Sequence, residues 1–324
     1  MNLIKKKTES LRCVKNAAFS KDYVLFGTGK KVIVCDHRLQ PVRVFEPLRQ
    51  VYSACISPDQ TKALLVSEKS LFYIADLIDG SVACSRLLPP YNDDIDGVGC
   101  WDRGGASVII PAHNKNTMCS AVRRYPVGEL NTYEDVFSGN YRITYVTYVE
   151  SAQKLLFVGS DLDKYFHFEA ERWFMAWHDG GKTDIIYLRG NDTGVEKTAV
   201  NEKEQIITVF SNNKVSEYGF DGRLLSQSSL ADHYAAKGKR FHPLFINETV
   251  YKTVPVGANG DCLVGTSKAI ALVNTKQNTV TKRIPEAFGV YDIRVLENNI
   301  VLYATGSGVK AAELTDQKNG GLET

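Results

Sequence analysis

The sequence predicts an all-β fold in which four-stranded antiparallel sheets repeat around a ring. The prediction depends on short apolar runs separated by turn residues, on recurrence of the same unit along the chain, and on an unpaired apolar run at the amino end. The short connections leave no room for helical crossovers, so consecutive runs should pair antiparallel. Sheets that are apolar on both faces cover them by stacking on similar sheets, as in a β-propeller.

The clearest copy of the unit lies in residues 51–85, VYSACISPDQTKALLVSEKSLFYIADLIDGSVACS. The four strands expected there are 51–56, 63–66, 71–77 and 81–85. Ser57-Pro58-Asp59 supplies turn chemistry, because proline fixes φ and aspartate bonds nearby backbone groups. Asp79-Gly80 accepts the positive φ of a tight hairpin before the last strand.

Seven copies of the unit are visible when each is anchored on the residue that ends its second apolar run. The anchors are Phe26, Val66, Ile110, Val158, Phe210, Val264 and Ala304. Their spacing is typical of propeller blades. The expected blades are residues 11–48, 49–90, 91–138, 139–179, 180–230, 240–285 and 286–316, followed by a flexible tail, 317–324.

The amino-terminal run has no partner strand in front of it, and the last copy lacks a fourth strand. We therefore expect residues 2–8 to complete the last blade and close the ring, which removes exposed sheet edges. In the fourth copy, KYFHFEAE (164–171) is the expected third strand and RWFMAWH (172–178) the expected fourth. The many aromatic side chains in that stretch are expected to pack between blades.

The first two copies resemble the WD-repeat family of seven-bladed propellers in a degenerate form. The matching residues are Phe19-Ser20 and Ile56-Ser57-Pro58-Asp59 at the end of the first strand, with Cys35-Asp36 and Ala75-Asp76 where the family has Trp-Asp. No copy has Gly-His ahead of its first strand or Trp-Asp after its third. The resemblance implies a protein-binding scaffold, while the departures leave room for related propellers, including lactonase-like ones.

Composition limits the function classes. Hydrophobic residues make up 44% of the 324 residues and the formal net charge is +2, so no global field draws the chain to nucleic acid or an anionic membrane. Neither a secretory signal nor a membrane span is evident. Seven cysteines without a CxxC pair favour reduced, buried thiols. We expect a soluble, cytoplasmic protein that is monomeric by itself.

Two motifs invite a chemical interpretation. The stretch YNDDIDG, with Asp93, Asp94 and Asp96, resembles a fragment of a calcium loop but lacks the later glutamate and flanking helices. GTGKK (27–31) lacks the spacing of a phosphate-binding loop and leads into a strand. Both are interpreted as turns or loops. The six histidines are spread along the chain over several copies, so no hydrolytic constellation is evident.

The remaining candidate site is the rim where first strands begin. Aligning each copy with Val51-Tyr52 places six residues at corresponding positions: Lys15, Tyr52, Thr144, Glu196, Lys252 and Tyr291. This mixture of cations, phenols, a hydroxyl and a carboxylate suits a mixed polar and apolar surface better than a row of phosphates. The leading hypothesis is a non-enzymatic scaffold that binds a protein or peptide there, without a cofactor.

An enzyme remains the alternative. A lactonase-like hydrolase or isomerase would hold a divalent cation over the central channel through carboxylates such as Asp96, Glu196 and Asp292. Nucleic-acid binding ranks third and predicts an affinity that falls steeply with salt.

Overall fold

The architecture was examined in a computed structural model of the chain. The residues that it describes are 2–5, 16–19, 22–27, 30–46, 48–67, 69–95, 99–161, 172–189, 197–211, 214–229, 244–256, 260–296 and 299–315. All regular structure among them is β-strand, arranged as seven antiparallel sheets. No helix with the length and apolar character of a membrane span occurs in these ranges.

The strands are numbered along the chain, and β1 is Asn2–Lys5. The first blade contains β2 (Asn16–Phe19), β3 (Val24–Gly27), β4 (Val32–Cys35) and β5 (Pro41–Phe45). The second contains β6 (Val51–Ile56), β7 (Lys62–Ser67), β8 (Leu71–Asp76) and β9 (Val82–Arg86). The third contains β10 (Asp94–Ile95), β11 (Cys100–Trp101), β12 (Ser107–His113), β13 (Ser120–Pro126) and β14 (Glu134–Ser138). Both β10 and β11 pair with β12, so the first strand of the third blade is in two pieces.

The next two blades contain β15 (Tyr141–Val149), β16 (Lys154–Asp161), β17 (Arg172–Asp179) and β18 (Lys182–Tyr187); and β19 (Lys197–Asn201), β20 (Ile206–Ser211), β21 (Lys214–Gly219) and β22 (Leu224–Ser229). The last two contain β23 (Val250–Val256), β24 (Asp261–Thr266), β25 (Ala269–Asn274) and β26 (Thr279–Pro285); and β27 (Val290–Val295), β28 (Ile300–Thr305) and β29 (Gly308–Thr315), to which β1 adds.

The amino-terminal strand closes the ring, as predicted. In the last blade the order is β1-β29-β28-β27, and Asn2 pairs with Thr315 while Lys5 pairs with Ala312. Leu3 is fully buried against the sixth and seventh blades. The first and last parts of the chain therefore share one sheet, and the seven-bladed propeller is confirmed.

Burial within each blade follows the position of the strand. Second strands such as β12, SVIIPAH, are buried along their whole length. Outer strands such as β26, TVTKRIP, are almost entirely exposed. The apolar clusters join neighbouring blades: Leu25 and Leu65 lie in one cluster, and Ile109 and Phe157 lie in another. This pattern places the core between the blades, as expected for sheets that stack on each other.

The fourth blade differs from its expected strand assignment. RWFMAWH lies in β17 and is the third strand, and the blade continues to Tyr187 through β18 instead of ending at residue 179. Trp173, Phe174 and Trp177 are buried, as the packing interpretation predicted. KYFHFEAE lies outside the described residues. A strand that is apolar on both faces shows no alternation, so its position within the blade cannot be read from its own residues.

Candidate partner-binding rim

The alternating strand directions divide the loops between two ends of the propeller. The upper end, as defined here, carries the links from each outer strand to the next first strand and the turns between second and third strands. The lower end carries the other turns. First strands of neighbouring blades contact each other, for example β2 with β6 and β23 with β27, so they form the innermost layer of the ring.

A β-bulge recurs near the start of four first strands. The extra residue is Tyr52 in β6, Thr144 in β15, Tyr251 in β23 and Tyr291 in β27. A bulge leaves one residue out of the ladder and re-aims its side chain. The four bulges therefore give the upper end a repeated position at which one residue lies outside the regular backbone pairing of its sheet.

The bulges of the sixth and seventh blades bring their side chains together. The Tyr251 and Tyr291 rings have centroids 4.8 Å apart at an interplanar angle of 43°. The neighbouring residues form an ion pair, with Lys252 Nζ 3.1 Å from Asp292 Oδ1. Phe288, in the link just before β27, is 61% exposed, and Tyr291 is 50% exposed. We call Tyr251, Lys252, Phe288, Tyr291 and Asp292 the rim patch.

Close backbone packing holds the two blades together beneath the rim patch. A Cβ atom at Gly265 would lie 2.6 Å from the Val290 carbonyl oxygen, so only glycine fits in β24 at this point. Within the seventh blade, a Cβ atom at Gly306 would lie 2.9 Å from Phe288 Cβ. Phe288 therefore rests on the turn after β28 while much of its side chain stays in solvent.

Two glutamates whose side chains are largely buried anchor the links that lead into the sixth and seventh blades. Glu248 accepts hydrogen bonds from Thr266 Oγ1 at 2.5 Å and from Arg283 Nη2 at 2.6 Å. Glu286 accepts one from Tyr303 Oη at 2.9 Å and pairs with Lys310. Lys5 of the closing strand β1 lies 3.4 Å from the same carboxylate.

The charge state of Glu286 follows from these partners. Burial alone would raise the pKa of its carboxyl group, but the hydrogen bonds from Lys310 and Tyr303 and the charges of Lys310 and Lys5 outweigh it and hold this pKa below its ordinary value. Burial and the neighbouring Glu286 carboxylate both raise the pKa of Tyr303. Glu286 is therefore ionised at neutral pH and ties β1, β28 and β29 to the link that carries Phe288.

The predicted site residues have different outcomes. Tyr291 lies at a bulge, and so does Thr144, whose hydroxyl group donates to the Val158 carbonyl oxygen at 3.3 Å. In the sixth blade the bulge is Tyr251, and the aligned residue Lys252 lies one position after it, where it pairs with Gly265. Lys15, Glu196 and the side chain of Tyr52 lie outside the described residues.

Of the three carboxylates proposed as metal ligands, only Asp292 lies among the described residues. Asp292 is paired with Lys252, while Asp96 and Glu196 lie outside the described residues. Within the described ranges, no group of three or more His, Cys, Asp or Glu side chains is placed to hold a metal ion. In the YNDDIDG stretch, Asp93 accepts a hydrogen bond from the Lys115 backbone amide at 2.8 Å and so anchors a turn.

The two ends of the propeller differ in charge. Among the described loop residues at the upper end, the basic side chains are Lys30, Lys31, Arg49, Lys69, Lys115, Arg189 and Lys268, and the acidic ones are Glu46, Asp93, Glu248 and Glu286. Among those at the lower end, the acidic side chains are Asp22, Asp36, Asp59, Asp79, Asp102, Glu129, Glu150, Glu202, Glu204 and Asp221, and the basic ones are Arg38, Arg103, Lys203, Arg223 and Lys276. Within the described loops, the upper end is therefore the more basic of the two.

Comparison with known proteins adds no family. No protein-family model matches the chain, and no curated protein is significantly similar to it. The resemblance to WD-repeat propellers stays a prediction from the first two blades.

Proposed function

We propose that this protein is a non-enzymatic scaffold that binds a protein or peptide at the upper end of the propeller, with the rim patch at the centre of the interface. The observation that carries the proposal is the exposure of two aromatic side chains only three residues apart, Phe288 and Tyr291, beside a closely packed blade junction. Aromatic residues are the commonest anchors of protein interfaces, particularly where they sit on a rigid support.

The rigidity of the support matters for affinity. Binding to a surface that is already ordered avoids the entropy of fixing loops and side chains. Glu248 and Glu286 hold the links on either side of the sixth blade, and Tyr251 packs against Tyr291 from the neighbouring blade. The rim patch therefore offers Tyr251 and Tyr291 on two fixed strands and Phe288 on the link held by Glu286.

The charge of the upper end indicates the kind of partner. The Lys252–Asp292 ion pair balances itself, and among the described loops of the upper end as a whole basic side chains outnumber acidic ones by seven to four. A partner segment that places an apolar side chain against Phe288 and Tyr291 and carries acidic residues on either side complements this surface. Such a contact would form faster at low salt, since the charges steer the encounter.

The test compares a rim variant with a matched variant elsewhere. The Phe288→Ala/Tyr291→Ala protein removes the two exposed aromatic side chains, and the Leu224→Ala/Leu225→Ala protein removes two exposed apolar side chains from the outer strand of the fifth blade. Proteins captured from an extract of the cells that make this chain are quantified by mass spectrometry, with circular dichroism checking the fold of each variant.

We expect one or more proteins to be captured equally by the wild type and the outer-strand variant and at least about tenfold less by the rim variant, because each interface anchor contributes about 2 kcal/mol or more. Capture that is equal with all three proteins would refute binding at the rim patch.

A further inference from the structure

Each blade ends at the circumference of the ring in an outer strand, and six of the seven outer strands carry charge. In chain order these six are β1, β5, β9, β14, β18 and β26, with Lys5, Arg43, Arg86, Glu134, Lys182 and Lys282 among their charged residues. Charge on an edge strand opposes its pairing with another copy of the same strand, because like charges would meet. The outer edges of these six blades are therefore protected against self-pairing.

The outer strand of the fifth blade lacks this protection. β22, Leu224–Ser229, has the sequence LLSQSS, which contains neither a charged residue nor a proline. It is the last strand of its sheet, in the order β19-β20-β21-β22, so one of its edges pairs with no strand among the described residues. An edge without charge or proline is a template on which another strand can pair. β22 is therefore the exception among the outer strands.

A bulge in β22 does not replace the missing charge. Its extra residue is Leu225, but the charged outer strands β5, β14 and β26 also contain a bulge, so this feature does not distinguish the fifth blade. After the bulge, residues 226–229 pair regularly with residues 214–217 of β21. The free edge of the fifth blade is therefore regular over residues 226–229.

Side-chain hydrogen bonds to β21 hold this edge in place. Ser226 Oγ donates to Glu217 Oε2 at 2.8 Å, and Gln227 Nε2 donates to Ser216 Oγ at 3.0 Å. An edge that is already ordered avoids the entropy of fixing a strand when it pairs. Leu224 and Leu225, which are 36% and 45% exposed, add apolar surface that pairing would remove from water.

We propose that β22 pairs antiparallel with β22 of a second copy of this chain, across a two-fold axis at Gln227. A second copy fits because the strand complements itself: Gln227 lies opposite its own counterpart, Ser226 lies opposite Ser228, and no like charges meet. Arg223, the exposed cation before β22, is then about 25 Å from its counterpart, at the rise of an extended strand. The fifth blades of the two protomers form one continuous sheet.

The geometry of this pairing makes the dimer weak and leaves the rim patch free. Antiparallel strands point the axes of the two propellers in opposite directions, so the upper end of one protomer lies beside the lower end of the other. Because each ring is convex, the contact involves one blade of each protomer, and such a small interface is reversible. We expect a dissociation constant of about 10 µM to 1 mM, in place of the monomer that the sequence predicts.

Sedimentation velocity of the whole chain between about 10 µM and 1 mM tests the proposal. We expect a reversible dimer of the wild type and an association at least about tenfold weaker for Gln227→Glu, since two carboxylates then meet at the two-fold axis. Ala83→Glu is the matched control, because Ala83 is exposed on β9, an outer strand that already carries Arg86. It should associate like the wild type. Circular dichroism checks the fold of each variant.

A mixture of the Gln227→Glu and Gln227→Lys proteins completes the test, because opposite charges then meet at the axis. We expect the mixture to dimerise more tightly than either protein alone. A mixture no tighter than its components would overturn the pairing, and so would a wild type that stays monomeric up to about 1 mM. Equal weakening by Ala83→Glu and Gln227→Glu would place the contact elsewhere, and larger oligomers would show pairing between unlike edges; either result overturns the two-fold dimer.

Discussion

Two blade junctions of the same ring are packed in different ways. Between the sixth and seventh blades, Gly265 lets the backbones approach closely, and Glu286 joins the closing strand to the link beneath the rim patch. Between the third and fourth blades the apolar cluster stops short of the lower end, and a polar cavity remains there, which we call the lower cavity; its lining includes Arg103, Arg124 and His178. One repeated sheet therefore supports either a rigid surface or an open cavity, depending on a few link and turn residues.

The largest effect is expected from loss of the glutamate at the closed junction. Glu286→Gln leaves Lys310, Lys5 and Tyr303 facing a neutral amide, and because the lost carboxylate is buried we expect the free energy of unfolding to fall by about 2 to 3 kcal/mol. Urea denaturation measures this change. Glu129 is an exposed glutamate in a lower turn, so Glu129→Gln should leave stability unchanged. Equal stability of the two variants would contradict the role of Glu286 in holding β1, β28 and β29 to the link.

A smaller loss is expected from one added methyl group. Gly265→Ala places a Cβ atom 2.6 Å from the Val290 carbonyl oxygen, so the blades must separate, at about 1 to 3 kcal/mol. Gly104→Ala, beside the lower cavity, meets no atom within 4 Å and should be neutral. Thermal unfolding of the two variants compares the packing of the two junctions directly. Similar melting temperatures would show that the backbones are packed no more closely at Gly265 than at Gly104.

The stabilisation by Glu286 should depend on pH with a defined sign. Its folded pKa is below the ordinary value of 4.5, so its contribution is present above about pH 4.5 and is lost as the pH falls through the folded pKa. The difference in unfolding free energy between wild type and Glu286→Gln should therefore shrink on acidification. A difference that stays constant from pH 7 to pH 3 would show that the carboxylate charge is not involved.

His178 provides the smallest effect, at the open junction. Because burial, and then the positive charge of Arg124, lower its folded pKa from the ordinary 6.5, the unfolded chain binds the proton more readily, and its stabilising contribution is lost as the pH falls below about 6.5. Relative to His178→Gln, the wild type should lose less than about 1 kcal/mol between pH 7 and pH 5. NMR titration of the imidazole checks the cause, and a pKa above 6.5 would contradict it.

Much of the fold could be predicted because turns and apolar runs are local signals. The strands of residues 51–85 and the closing strand follow from turn chemistry and from an unpaired apolar run. The fourth blade was misassigned because β17 is apolar on both faces, and its outer neighbour β18 is only half-buried. The register near Lys252 failed by one residue, because a bulge leaves no mark in the composition of its strand.

Less of the candidate sites could be predicted. Tyr291 was found because every first strand begins at the same end, but Phe288 and Tyr251 became evident only when two blades were placed side by side. Glu248 and Glu286 look like ordinary link residues, and their burial depends on the tertiary structure. The lower cavity combines turns from two blades, so no local pattern could have indicated it.

Hydrogen exchange in the presence of a partner captured through the upper end tests the central claim most directly, that the closed junction of the sixth and seventh blades is the binding surface. The account predicts slower amide exchange in residues 250–253 and 286–295 on binding, and unchanged exchange in residues 99–106 at the open junction. Slower exchange confined to residues 99–106, or to the outer strands, would contradict it.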